Sequence, residues 1–178
     1  SGIGAAVARR LLAEGARVAS LDLHDAAPEG VLAVIGDVAD SGDVEEAVAL
    51  TTRELGHIGV LVCSAGVPGA SLPTVAVRDD EWQRVMRVNA DGVFFCNRAV
   101  IPDMCEHGYC RIIDVASLAA KEGNPMAAAY WASNAAVYNN DLLIGALLVT
   151  FSVIVPQFGH DAPGSGAPRP RPRLGRAG

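Results

Sequence analysis

Apolar residues recur along this chain as short unbroken runs separated by stretches of helical spacing. Ile3, Val7, Leu11 and Leu12 fall on one face of a helix over residues 2–14, which Glu14-Gly15 closes. Residues 17–22 and 31–35 then read as short buried strands. A helix over 41–55 follows, with Ser41 as its N-cap and Val44, Ala47, Val48 and Leu55 on one face. Residues 58–62 form a continuous apolar strand, 79–88 and 91–107 are helical, and 110–115 is the next strand. Another helix starts near Tyr130. Short apolar strands alternating with amphipathic helices predict a parallel sheet covered on both faces, a doubly wound α/β fold of the Rossmann type.

The end of the chain changes character. Residues 142–156 are almost wholly apolar, which at this length predicts a buried helix running into a strand rather than a membrane span. Residues 162–178 hold only Ala, Pro, Gly, Ser, Arg and Leu, with Arg169, Arg171, Arg173 and Arg176 as their charges. Such a segment buries too little apolar surface to fold and predicts a flexible tail. The expected organisation is therefore a domain over 1–160 and a tail over 161–178. All six residue types have GC-rich codons, so a slipped reading frame after Asn134 is one explanation of that composition.

Composition narrows the classes. The chain has 178 residues, 51% hydrophobic and 19% charged, enough for one globular domain. Aromatics are only 5%, so the core is built from aliphatic residues. A net charge of −6 argues against nucleic acid as a partner. Cys63, Cys96, Cys105 and Cys110 show no paired metal-ligand spacing and read as reduced, buried thiols of a cytoplasmic protein, with no metal.

Seven features, in order, carry chemistry. Ser1-Gly2-Ile3-Gly4 opens the first helix, where residues without Cβ let a backbone approach an anion at the positive helix end. Asp22 ends the next strand, eighteen positions after Gly4. Asp37-Val38 follows the strand after that, and Cys63-Ser64-Ala65-Gly66 follows the strand over 58–62. Val88-Asn89-Ala90 lies in a helical region, Ser117 closes an apolar run, and Tyr130 stands thirteen positions further on. Taken singly, Gly2 and Gly4 also fit a plain helix-start turn, Asp22 a strand-end turn, and Asn89 a helix N-cap.

Together they resemble the short-chain dehydrogenase/reductase family, in its classical form, over residues 1 to about 137. The string Lys121-Glu122-Gly123-Asn124-Pro125 is similar to the 3-oxoacyl-carrier-protein reductase and sugar-acid dehydrogenase branches. The resemblance implies that Gly2 and Gly4 are the second and third glycines of a dinucleotide cradle. Its first glycine and first strand would precede Ser1, so the chain is expected to be incomplete at its N-terminus. It further implies Ser1, Gly2, Ile3 and Gly4 at the pyrophosphate, Asp22 on the adenosine ribose, and Asp37 and Val38 at the adenine. Ala65 and Gly66 would form the turn beneath the cofactor. A carboxylate at position 22 repels a 2′-phosphate, and Ser1 supplies no cation, so NAD is favoured over NADP.

The same resemblance makes Asn89 the residue that kinks a helix and holds a water, Ser117 the partner of the reacting oxygen, and Tyr130 the general acid/base. A free tyrosine has a pKa of about 10 and needs a nearby cation to work near neutrality. The family places a lysine four residues past the tyrosine, which also binds the nicotinamide ribose. Here that position holds Asn134, which can still hydrogen-bond a ribose but carries no charge. The expected activity is hydride transfer between NAD(H) and a secondary alcohol or ketone, by a homo-oligomer (dimer or tetramer) acting on a small molecule. The alternative is a catalytically impaired member or gene fragment that binds nucleotide or pairs with a subunit through helices at 91–107 and 130–150. Past Val137 the helix is expected to be interrupted by Tyr138-Asn139-Asn140-Asp141, and Val153 to Gln157 reads as a remnant strand.

Overall fold

The computed structural model describes residues 2–118, 121, 125–145 and 150–155. The chain runs α1 (Gly2–Ala13), β1 (Ala19–Asp22), β2 (Leu32–Ile35), α2 (Ser41–Leu55), β3 (Val60–Cys63), α3 (Asp79–Met86), a π-helical turn (Arg87–Asp91), α4 (Gly92–Glu106), β4 (Arg111–Ser117), α5 (Ala128–Gly145) and β5 (Thr150–Val155). Every strand pairing is parallel, and the helices between strands make the expected doubly wound α/β fold. The strands form two sheets, β1-β2 and β3-β4-β5. No pairing joins β1 to β3 among the described residues.

The core lies where α4 and α5 cover β3 and β4. Val100, Met104, Cys110 and Ile112 form one buried cluster, and Cys63, Val93, Ala116 and Val137 another. Both draw on the alternation of β4, whose Ile112, Asp114, Ala116 and Ser117 are buried. Aliphatic strands buried on two faces are the usual interior of a parallel sheet.

Several local expectations need correction. Asp40, not Ser41, caps α2: its carboxylate accepts from Gly42 N and Asp43 N, satisfying two otherwise orphaned amides. Tyr138 to Asp141 do not interrupt α5. Each costs only about 0.5 kcal/mol of helix propensity, and the buried stripe Ala129, Ser133 and Val137 holds the helix through them. Ile3 is exposed on α1, where Ala8 is the buried residue. Cys105 is exposed rather than buried. The apolar run after 142 is the end of α5 and the strand β5, in which Val153 pairs with Val115 and Val155 with Ser117. No helix among the described residues is long and apolar enough to cross a membrane. The tail expected over 161–178 lies outside the described residues.

Candidate active site

Two chain crossings assemble the site. β4 ends at Ser117, which is buried. Tyr130 stands in the first turn of α5, half-buried, and α5 packs on β4. Asn89 reaches both regions from the π-helical turn. Its Oδ1 accepts from Val67 N at 2.8 Å, and its Nδ2 donates to Val67 O at 2.9 Å and to Ser133 Oγ at 3.1 Å. Ser133, fully buried, donates in turn to Tyr130 O at 2.9 Å. Asn89 is therefore not an N-cap. The extra residue of the π turn, an insertion that bends a helix without breaking it, aims its amide at the loop after β3 and at α5.

Asn134 has a different commitment. Its Nδ2 donates to Tyr130 O at 2.9 Å, one turn back on its own helix. The acceptor is a carbonyl, so the nitrogen must be the end turned inward. This bond uses one N–H of the amide, which carries a second N–H and an acceptor oxygen. Lys121, the chain's one lysine, holds its Nζ 4.9 Å from the Tyr138 ring centre, two turns beyond Tyr130.

The cofactor-side residues lie at the start of α1 and at or just past the C-terminal ends of β1, β2 and β3, and β3 is parallel to the β4 that ends in Ser117. Gly2 has φ +59 and open space where a Cβ would lie, at the start of a twelve-residue helix. A Cβ on Gly4 would stand 2.5 Å from Ser64 Oγ, so any larger residue there would force the Ser64 side chain to turn away. Asp22 closes β1, with Oδ1 accepting from His24 N at 3.2 Å. Asp37 orders its own turn through Ala39 N. Val38 lies against Gly92, where a Cβ would meet it at 3.1 Å. Ala65 and Gly66 are exposed, and a Cβ on Gly66 would touch Asn89 Oδ1 at 3.4 Å. Ile3 is in the first turn of α1; Ser1 lies outside the described residues. The open space over Gly2, the helix N-terminus and the carboxylate at the end of β1 suit the adenosine and pyrophosphate of a dinucleotide. Position 134 offers the nicotinamide end no cation.

Three features escaped the sequence reading. Ser133 is the link between Asn89 and Tyr130, yet a serine in Trp-Ala-Ser-Asn carries no signal of it. Met126 has φ +86, a strained value for a residue with a Cβ, and its carbonyl accepts from Leu72 N beside the Leu72–Ala127 bridge. This contact ties the loop after β3 to the start of α5. Finally, Asp114 is buried with Oδ2 accepting from Asn97 Nδ2 at 2.8 Å and Oδ1 without a partner. Cys63 Sγ lies 4.0 Å from Asn97 Oδ1. Its hydrogen bond with Cys96, then burial, then the Asp114 carboxylate push the Cys63 thiol well above its ordinary range, while the same bond lowers Cys96. An aspartate inside Ile-Ile-Asp-Val-Ala was the legible sign of this group.

The sequence and the fold match known proteins. The short chain dehydrogenase family model covers residues 1–140, and the chain belongs to that family. It is 42% identical over 161 residues to the 2-dehydro-3-deoxy-L-rhamnonate dehydrogenase (NAD(+)) of Sphingomonas sp. strain SKA58, covering 86% of this chain and 65% of that one. To the 2-(R)-hydroxypropyl-CoM dehydrogenase of Xanthobacter autotrophicus it is 41% identical over 153 residues, covering 77% and 60%. The chain thus spans less than two thirds of either relative. The ligand-free aldohexose dehydrogenase of Thermoplasma acidophilum superposes with a TM-score of 0.82 at 27% identity, over 87% of this chain and 62% of that one. NAD+-bound xylitol dehydrogenase superposes with a TM-score of 0.77 at 32% identity, over 82% and 60%.

Proposed function

We propose that this chain carries the catalytic half of an NAD(H)-dependent oxidoreductase acting on the secondary alcohol of a small polyhydroxylated compound or its ketone. The observation that supports it most is the buried link from Asn89 through Ser133 to the Tyr130 carbonyl, which fixes the first turn of α5 against the sheet that ends in Ser117. In this reading the Tyr130 hydroxyl takes the proton of the alcohol in oxidation and returns it in reduction. Ser117 hydrogen-bonds the reacting oxygen and orients it. Asn89 holds the turn and a water behind it. Gly2, Ile3, Gly4, Asp22, Asp37, Val38, Ala65 and Gly66 would hold the dinucleotide, with Ser1 beside them; when bound, it accepts or supplies the hydride. The carboxylate of Asp22 disfavours a 2′-phosphate and supports NAD over NADP. The named activities of the relatives on a sugar acid, an aldohexose and xylitol support the substrate class. A small-molecule substrate and a homo-oligomeric enzyme in the cytoplasm complete the proposal.

Asn134 favours a second reading, a member with weak turnover, because the position four past Tyr130 carries no charge. Oxidation of a panel of polyols and sugar acids, followed by NADH absorbance, separates the two. Turnover that falls at least about 100-fold in Tyr130→Phe supports the enzyme. Equal rates in both would remove Tyr130 from the mechanism. A melt that rises with NADH while no substrate turns over would leave the impaired member standing.

A further inference from the structure

The face of β3 and β4 turned to α4 carries a group of side chains that the proposed hydride chemistry leaves unused. Cys63 is the register partner of Asp114 in the β3–β4 ladder, so the two side chains share one face of the sheet, and both are buried. Val93, Cys96, Asn97 and Val100 recur at helical spacing on α4 and form the stripe that packs on this face. Asn97 Nδ2 donates to Asp114 Oδ2 at 2.8 Å, and Asn97 Oδ1 lies 4.0 Å from Cys63 Sγ. Cys96, beside Asn97, packs against the cluster that contains Cys63, and the two thiols share a hydrogen bond. One cysteine from β3 and one from α4 thus meet inside the fold.

The pair is unsymmetrical. Its hydrogen bond to Cys96, then burial, then the Asp114 carboxylate hold the proton on Cys63. Asp114 Oδ1 is itself buried without a partner, so a second negative charge at Cys63 is opposed. The same hydrogen bond favours the thiolate at Cys96, which is only half-buried. A thiolate in contact with a protonated thiol is the arrangement of a reactive cysteine with a resolving partner. The other two cysteines differ. Cys110 packs among Val100, Met104 and Ile112 as a small apolar side chain, and Cys105 is exposed near the end of α4. Among the described residues no three His, Cys, Asp or Glu side chains are placed to hold a metal ion, which directs the pair to sulfur–sulfur chemistry.

We infer that Cys63 and Cys96 form a redox-modification site, at which a hydroperoxide oxidises Cys96 and Cys63 resolves it to a disulfide joining β3 to α4. The Cys96 thiolate attacks one oxygen of the hydroperoxide and the O–O bond breaks. Cys96 becomes a sulfenic acid, and the departing oxyanion takes up the proton that Cys96 had released. The Cys63 sulfur then attacks the Cys96 sulfur, the S–O bond breaks, and the Cys63 proton leaves with the hydroxyl as water. The two thiols lose two electrons and two protons, and the hydroperoxide is reduced. A thiol reductant reverses the change by exchange. The new bond fixes the end of β3 immediately before the Ser64-Ala65-Gly66 turn. This rests on α4 and the β3–β4 ladder, and not on the proposed chemistry of Tyr130.

The test uses the full 178-residue chain, reduced, freed of reductant, treated with hydrogen peroxide, alkylated and digested with trypsin. Cys63 then lies in the peptide 54–78, Cys96 in 88–98, and Cys105 and Cys110 together in 99–111, so each pairing has its own mass. The expected product is a disulfide between the first two peptides within one chain, at least about 10-fold more abundant than any other pairing, with that preference lost in guanidinium chloride. Cys63→Ser should strand Cys96 as the sulfenic acid, so that dimedone labels it at least about 10-fold more than in the parent. Cys96→Ser should give neither the disulfide nor a dimedone adduct at Cys63. If circular dichroism shows a serine variant unfolded, the peptide map of the parent alone decides. Retention of all four thiols, a dominant pairing of any other two cysteines, a Cys63–Cys96 bond formed only between chains, or dimedone on Cys63 rather than Cys96 would overturn the inference. None of these readouts requires turnover, so failure of the inference and failure of the proposed activity are distinguishable.

Discussion

Asn89 and Ser133, forty-four residues apart, are joined by a buried hydrogen bond of 3.1 Å from the asparagine Nδ2 to the serine Oγ. The bond clamps the π turn to α5 three residues past Tyr130. Replacing Asn89 by Ala deletes this contact and both bonds to Val67. We expect a loss of about 2–4 kcal/mol in urea unfolding, because the Val67 N–H and C=O are left without their partner. Ser133→Ala spares the Val67 bonds and should cost only about 1 kcal/mol. Equal losses in the two variants would mean that Asn89 acts through Ser133 alone.

Asn134→Lys restores a cation one helical turn from Tyr130. Turnover should rise at least about 10-fold, since removing or restoring a neighbouring charge changes a proton-transfer group by one to three pKa units. The check is kcat against pH in the polyol oxidation. A rise in cofactor affinity with no change in kcat would show that the lysine position serves binding only.

Asp114 carries one oxygen without a partner in the core. Asp114→Asn keeps the acceptor for Asn97 and removes a buried charge. Its melting temperature should rise by the equivalent of about 1 kcal/mol. The Cys63 thiol, pushed up in part by that charge, should come down. Thiolate absorbance against pH reads this directly, in a background with Cys96, Cys105 and Cys110 replaced by Ser to isolate Cys63.

Glu81 ties the loop after β3 to α3 through Ala70 N at 2.7 Å and pairs with Arg84 at 2.9 Å. The Arg84 hydrogen bond first, then the Ala70 amide, hold its carboxyl below the usual range. A lowered folded-state value gives stability that is present above the unfolded pKa of about 4.3 and is lost as pH falls through the folded value. The melting-temperature gap between the parent and Glu81→Gln should therefore be full at pH 6 and narrow as pH falls below the unfolded value of about 4.3. A gap that does not change with pH would refute this origin.

Met126, at φ +86, holds a conformation that costs a residue with a Cβ about 1–2 kcal/mol. Met126→Gly should raise stability by about 0.5–1 kcal/mol after the glycine's own entropy is counted. Met126→Val, branched at Cβ, should lower it. Melting both variants checks the sign.

The sequence by itself determined the alternation of strands and helices, because period-two and period-3.6 patterns are local. It also supplied the candidate site through ordered spacing: Gly2 and Gly4 at a helix start, Asp22 and Asp37 at strand ends, Ser117 thirteen positions before Tyr130. The lost cation at Asn134 is likewise a matter of one letter. Only the tertiary structure decided what those residues touch. Asn89 could have been a cap until the π turn aimed it at Val67 and Ser133. The hydrogen bond from Asn134 Nδ2 to Tyr130 O is visible only in the fold. α5 runs through Tyr138 to Asp141 because packing of Ala129, Ser133 and Val137 outweighs weak local propensity, and packing is a property of neighbours that no residue carries alone.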